Sequence, residues 1–278
     1  MGSNKVRRTA GTILAYALAL IYVMPVLITL INSFASPAEV TANVAAKSAM
    51  LFPQSFTLVQ YYDLLVEKAR YIGMFWNSIL YSVSITGMNV LISILTAYIF
   101  AKYRFKGRNT LFFIYVIIMM MPFQVTLLPN YLISRFTGII DTRWAVILPG
   151  IFSPFGTFLL TQFFRYIPDE AIEAVRLESK SIWSIFKTAV LPSAKPGIIA
   201  LAVISFAENW NMVEQPIILI SDKLKRPLSA VFNSIVREGA DVAFAGSFFY
   251  MIPVIILCLY FEEHIVNGLS EWIRVMKK

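Results

Sequence analysis

Five stretches of this chain contain no Asp, Glu, Lys, Arg or His: Thr9–Ala38, Tyr71–Ala101, Thr110–Ser134, Trp144–Phe164 and Val242–Phe261. Crossing the hydrocarbon core of a bilayer takes about 20 predominantly apolar residues in an α-helix, and each stretch supplies them. A sixth, Pro196–Ser221, is interrupted only by Glu208 and Glu214. In lipid the backbone must satisfy its own hydrogen bonds, so such runs fold as helices. The predicted fold is therefore an all-α membrane protein. Its six transmembrane helices lie near residues 11–35, 73–100, 109–133, 144–164, 196–221 and 243–265, in one domain over residues 1–278. Charged residues make up 14% of the chain, against about a quarter in soluble domains, which agrees with that class.

Lys and Arg placement sets the orientation. With the N-terminus inside, fifteen of the 24 Lys and Arg residues fall on the cytoplasmic side, led by the run AKYRFKGRN after the second span. Both termini are then cytoplasmic. The basic start at Lys5, Arg7 and Arg8 also suits a signal peptide, but the apolar run that follows exceeds the roughly 7–15 residues of a signal core. The net charge of +8 is largely explained by this anchoring, and no basic stripe with interleaved aromatics points to nucleic acid. Cys258, the single cysteine, lies in the last span and cannot form an intrachain disulfide.

Pro25 is expected to kink the first span, which a bundle tolerates, Pro122 and Pro129 to interrupt the third, and Pro149 and Pro154 fall in the fourth. The outer segment near residues 36–72, with LFPQSFTLVQYYDLL, is too long for a simple turn and is expected to pack over the outer face of the bundle.

Residues 166–195 form a charged insertion between two apolar spans. Asp169 is placed to cap a first helix, and Asp169 and Glu170 suit its positive end. Ala171, Ala174 and Val175 share one face of it. In a second helix Ile182, Ile185, Phe186, Ala189 and Val190 recur at helical spacing, an amphipathic pattern. Ser181 is placed to start that helix and Pro192 to end it, with a turn at Glu178-Ser179-Lys180 between the two. Such a face fits a helix lying on the membrane surface. It also fits a docking surface, which the two-helix form and the acidic Glu170, Glu173 and Glu178 favour.

The insertion resembles the EAA loop of ABC importer permeases, with a pattern of roughly Glu-Ala-Ala-x-x-x-Gly and then Leu-Pro. Here the register gives Glu173-Ala174-Val175, Ser179 at the glycine position and Leu191-Pro192. Ser is less at ease than Gly in a left-handed turn, at a cost of about 1 kcal/mol. AYIFAKYRFKGRN, MMPFQVTLLPNYLI, FFRYIPDEAIEA and SFAENWNMVEQPIILI also look like the carbohydrate-importer branch, closest to a maltose-type six-helix subunit. The resemblance implies a type I ABC importer permease of the prokaryotic plasma membrane. Its implied partners are a second permease subunit (read as a different chain), a cytoplasmic ATPase dimer, an extracellular solute-binding protein and a sugar or oligosaccharide. The ATPase-coupling residues it implies are Glu170, Glu173, Ala174, Leu177, Glu178, Ser179, Ile182, Phe186 and Pro192. ATP and Mg would be held by the partner ATPase, because the chain has no G-x-x-x-x-G-K-[ST] loop.

Glu208, Asn209, Trp210, Asn211 and Glu214 cluster in the fifth span, where polar groups are costly and usually face a cavity or a partner helix. Trp beside Asn suits a sugar, with a ring face for stacking and an amide for hydroxyls. Gln124, Asn130 and Tyr131 in the third span are further candidates for a substrate path. Glu262, Glu263 and His264 are adjacent on a helix and splay around it, which argues against a metal site. A secondary transporter would tend to show internal repeats and ionisable residues in both halves. A membrane enzyme would need a nucleophile–base pair. Neither is evident. Within the resemblance, a permease for a non-sugar solute is the alternative.

Overall fold

The computed structural model describes residues 2–46, 48, 52–178 and 181–276. Ser179, at the glycine position of the loop, lies outside them, as do the side chains of Glu178, Ile182, Glu263 and His264.

Helix α1 (Gly2–Asn32) carries the first apolar run, with Pro25 inside it. Helix α2 (Pro37–Ala45) opens on a Ser-Pro pair. The Glu39 N–H donates to Ser36 Oγ at 3.3 Å, and Pro37 sits where no donor is needed. Helix α3 (Val59–Tyr62) runs into a π-helical turn at Asp63–Glu67, and α4 (Arg70–Lys102) is an unbroken span. The third run divides into α5 (Arg108–Met119) and α6 (Phe123–Phe136), which meet at 100°. The fourth divides into α7 (Trp144–Ile151) and α8 (Pro154–Arg165). The insertion holds α9 (Asp169–Glu178) and α10 (Ile182–Ile185). A π-helical turn at Phe186–Val190 then leads from α10 directly into α11 (Leu191–Trp210). Helices α12 (Glu214–Leu219), α13 (Leu228–Glu238) and α14 (Ala240–Met276) complete the chain. Among the described residues, five helical stretches are long and apolar enough to cross a membrane, or six if the bent α5–α6 pair is one span.

Three sequence expectations change. The run near 196–221 is not one helix: it stops at Trp210 and restarts at Glu214. Pro216 explains the gap, because its ring would collide with the carbonyl of Met212 in a continuous helix. That carbonyl instead accepts a hydrogen bond from Ser229 Oγ at 2.5 Å. The third run breaks at Pro122 as expected, but Pro129 lies inside α6 without interrupting it. Pro192 does not end a helix. It stands in the first turn of α11, after a π-helical turn in which the Leu191 N–H donates to the Phe186 carbonyl.

The chain divides into two compact units, Met1–Gly73 with Val231–Pro253, and Met74–Ala230 with Val254–Lys278. In the first, the outer segment folds onto the end of α1. Gln60 Nε2 donates to the Asn32 and Ala35 carbonyls, Phe34 stacks on Phe56, and Ser33 Oγ lies 2.7 Å from Tyr61 Oη. Phe244 packs against Ala35 and Val40.

In the second unit, α4 and α8 approach closely at Gly156, where a Cβ would fall 2.4 Å from Ser93 Oγ and 2.7 Å from Asn89 Oδ1. Small residues at membrane helix interfaces allow this kind of approach. One turn along, Thr96 and Thr157 join their hydroxyls at 2.9 Å. The segment after α12 is tied down by polar contacts. Asp141, at φ 62°, accepts the Ser221 and Asp222 N–H groups, and these bonds hold its carboxyl below the usual aspartate range. Arg226 Nε donates to the Ile220 carbonyl at 2.8 Å, while Asn77 Nδ2 and Tyr81 Oη of α4 donate to the Leu224 and Lys225 carbonyls.

Candidate functional site

The three helix breaks of the second unit open onto one cavity of about 580 Å³. The start of α6 contributes Phe123, Gln124, Thr126 and Asn130; the α7–α8 break contributes Pro149, Gly150, Phe152 and Ser153. The α11–α12 break supplies Glu208, Asn209, Asn211, Met212, Val213, Glu214 and Gln215. Non-helical backbone at membrane depth is tolerated where it is buried in protein or lines a water-filled cavity. Each break also has a local cause. Pro122 forces its predecessor out of helical geometry, and Ser153-Pro154 starts a new helix with the Gly156 N–H on Ser153 Oγ. Pro216 acts at the third, as described.

Six of the eight residues read from sequence as a substrate path line this cavity: Gln124, Asn130, Glu208, Asn209, Asn211 and Glu214. Gln124 Nε2 lies 3.4 Å from Glu214 Oε2, so the ends of α6 and α12 meet across it. The other two do not line it. Trp210 is fully buried, edge-on to Phe75 and stacked on Phe206, so its ring face is spent on the protein rather than offered to a sugar. Tyr131 packs beside the cluster of Tyr81, Ile85 and Val146. Ser153, Thr126 and Gln215 escaped the sequence reading because they are uncharged and sit in apolar runs. Recognising each Pro as a helix restart would have found the neighbourhood.

The insertion forms a second candidate surface. Ile185, Phe186 and Val190 are buried in one cluster with Tyr98, Leu160 and Phe164, with the Phe186 ring 4.5 Å from that of Tyr98, and Ala189 is buried as well. The amphipathic face therefore packs inside the molecule rather than on lipid, with Phe186 buried against Tyr98. On α9 Ile172 is buried and Val175 packs partly buried against the same cluster, while Ala171 and Ala174 are exposed, so the three residues read as one face do not share one environment. Asp169 is the first residue of α9, and its carboxylate is taken by Lys102 Nζ at 2.6 Å. Lys102 also donates to the Ile167 carbonyl. Together they join the end of α4 to the start of α9. The hydrogen bond and charge of Lys102 hold the Asp169 carboxyl below its ordinary range. Glu170, Glu173, Ala174 and Pro192 are exposed. Leu177 is 90% exposed and Trp183 72% exposed, so two large apolar side chains stand at the tip of a charged element. Trp183 was missed in the sequence because it breaks the apolar periodicity.

Residues 89–270 match the family model described as binding-protein-dependent transport system inner membrane component. The chain belongs to this family. It is therefore a multi-pass membrane subunit whose role is transport, and the matched region includes both the cavity and the insertion. Among similar proteins, the arabinooligosaccharides transport system permease protein AraQ of Halalkalibacterium halodurans is 29% identical over 91% of each chain. The sn-glycerol-3-phosphate transport system permease protein UgpE of Yersinia pestis is 30% identical over 71% of this chain and 72% of its own. The crystal structure of a bacterial ABC transporter that imports the acidic polysaccharide alginate contains a chain of the same fold. It matches at a TM-score of 0.81 and 21% identity, covering 95% of this chain and 98% of that one. This inner membrane component thus has the permease fold of ABC importers, with six spans when the bent pair is one.

Proposed function

We propose that this subunit carries a sugar or oligosaccharide across the membrane through the cavity at its helix breaks. The movement is driven by a separate cytoplasmic ATPase that docks on residues 166–195. The observation that carries the reading is the cavity itself. Amides, hydroxyls and two carboxylates converge where three broken helices meet, and broken helices build transport sites in membrane proteins. Its volume falls within the roughly 300–1,000 Å³ of small-molecule sites. The arabinooligosaccharide relative favours a saccharide.

Coupling is assigned to the exposed edge of the insertion, namely Glu170, Glu173, Ala174, Leu177 and Trp183. A rigid element held by Phe186 on one side and by Lys102–Asp169 at its start can pass a rigid-body rotation into α4 and α11. ATP and Mg bind on the ATPase, an extracellular binding protein delivers the saccharide, and a second permease subunit completes the path. Both termini face the cytoplasm. Purification of the full chain from its native membrane tests this reading. An ATPase and a second membrane subunit should co-purify, with ATP hydrolysis stimulated by a saccharide-loaded binding protein. Purification with no ATPase would overturn it.

A further inference from the structure

The charge of the cavity narrows the class of saccharide, an inference that rests on the transport reading above. Of the fifteen described residues lining the cavity, two are carboxylates, Glu208 and Glu214, and none is Lys, Arg or His. Four of its five amides strengthen this asymmetry, because each of those four spends a donor on the protein. Asn209 Nδ2 donates to the Ser205 carbonyl at 2.7 Å, and Asn211 Nδ2 to the Ala207 carbonyl at 2.9 Å. Gln215 Nε2 donates to the Val146 carbonyl at 3.2 Å, and Gln124 Nε2 is directed at Glu214. The lining is thereby rich in acceptors and negative in charge.

We propose that the cavity selects an uncharged, hydroxyl-rich saccharide and rejects one bearing a carboxylate or phosphate. A neutral sugar brings hydroxyl donors, which carboxylates accept well because ionised acceptors make the stronger hydrogen bonds. A uronate or sugar phosphate brings a like charge with no cation in the lining to meet it, and discrimination of this kind works through the repulsive element.

The test reads the cavity directly, in membranes holding the full transport complex. Cys258 is first replaced, Cys258→Ser, and one reporter is placed in the lining, Thr126→Cys. Cationic and anionic methanethiosulfonates of matched size are then compared, each scaled to its rate with a free thiol. The cationic reagent should react faster, by a factor on the order of ten, and Glu208→Gln with Glu214→Gln should remove the bias. A neutral oligosaccharide should protect the reporter, while the same oligosaccharide carrying one uronic acid should not until both glutamates are replaced. Equal reagent rates, or equal protection by the uronate in the unsubstituted cavity, would overturn the inference. A clear charge bias with no protection by any saccharide would instead overturn the transport reading beneath it.

Discussion

The coupling insertion and the cavity both interrupt apolar sequence with polar residues, yet they are built in opposite ways. In the insertion the apolar face turns inward, with Phe186 on Tyr98 and Val190 fully buried, and the charged residues with Leu177 and Trp183 face outward. At the cavity the large aromatic, Trp210, is hidden, while Gln124, Glu208, Asn211 and Glu214 are exposed along an open space between the helix breaks. The first arrangement comes from helical periodicity and the second from helix breaks. Periodicity leaves an exposed edge above a buried face; a break opens a space between helix ends.

The sharpest way to break this comparison is to truncate the hidden aromatics. Trp210→Ala should cost about 3–5 kcal/mol of stability, read as a fall in the thermal aggregation midpoint, because it empties a fully buried site. Asn211→Ala, next to it but lining the cavity, should leave that midpoint nearly unchanged while impairing uptake. If Trp210→Ala spares stability and alters only saccharide uptake, the ring belongs to the site after all. Overpacking comes next. Gly156→Leu should cost about 1–3 kcal/mol, since its side chain must displace Ser93 and Asn89, and the same thermal assay checks it.

Smaller effects sharpen the picture of how the break and the insertion are held. Ser229→Ala should cost about 1 kcal/mol by leaving the Met212 carbonyl without its hydroxyl donor. Exchange of the α12 amide hydrogens should rise with it. The smallest effect concerns the Lys102–Asp169 link. The Asp169 carboxyl is held below its ordinary range, so the link contributes fully above about pH 3.9, the usual aspartate value, and is lost as pH falls through the lowered value. Amide exchange at the start of α9 should therefore rise on acidification, and Lys102→Met should remove that dependence. An unchanged acid response in Lys102→Met would show that the link does not hold α9.

Much of the fold was legible because membrane burial leaves a blunt signal: runs without charge. The spacing of Ile185, Phe186, Ala189 and Val190 identified an apolar face, but periodicity fits lipid or a partner equally well, and only the packing shows that the chain itself covers it. Proline was harder. Pro122, Pro154 and Pro216 accompany breaks, whereas Pro25, Pro129, Pro149 and Pro192 sit inside helices. The outcome depends on what accepts or replaces the freed backbone group, such as Ser229 for Met212, and that partner is distant in sequence. Trp210 misled because pairing with Asn suggests a sugar platform, while its true neighbours, Phe75 and Phe206, are supplied by helix packing.

The central claim is that saccharide handling and energy coupling occupy these two separate regions. Its most direct test is ATP-driven saccharide uptake by sealed vesicles carrying Glu173→Lys, measured beside saccharide protection of the cavity. The expected result is uptake at background with protection intact, because the exposed Glu173 lies on the docking edge and not in the cavity lining. Normal uptake by Glu173→Lys, or loss of protection together with uptake, would contradict it.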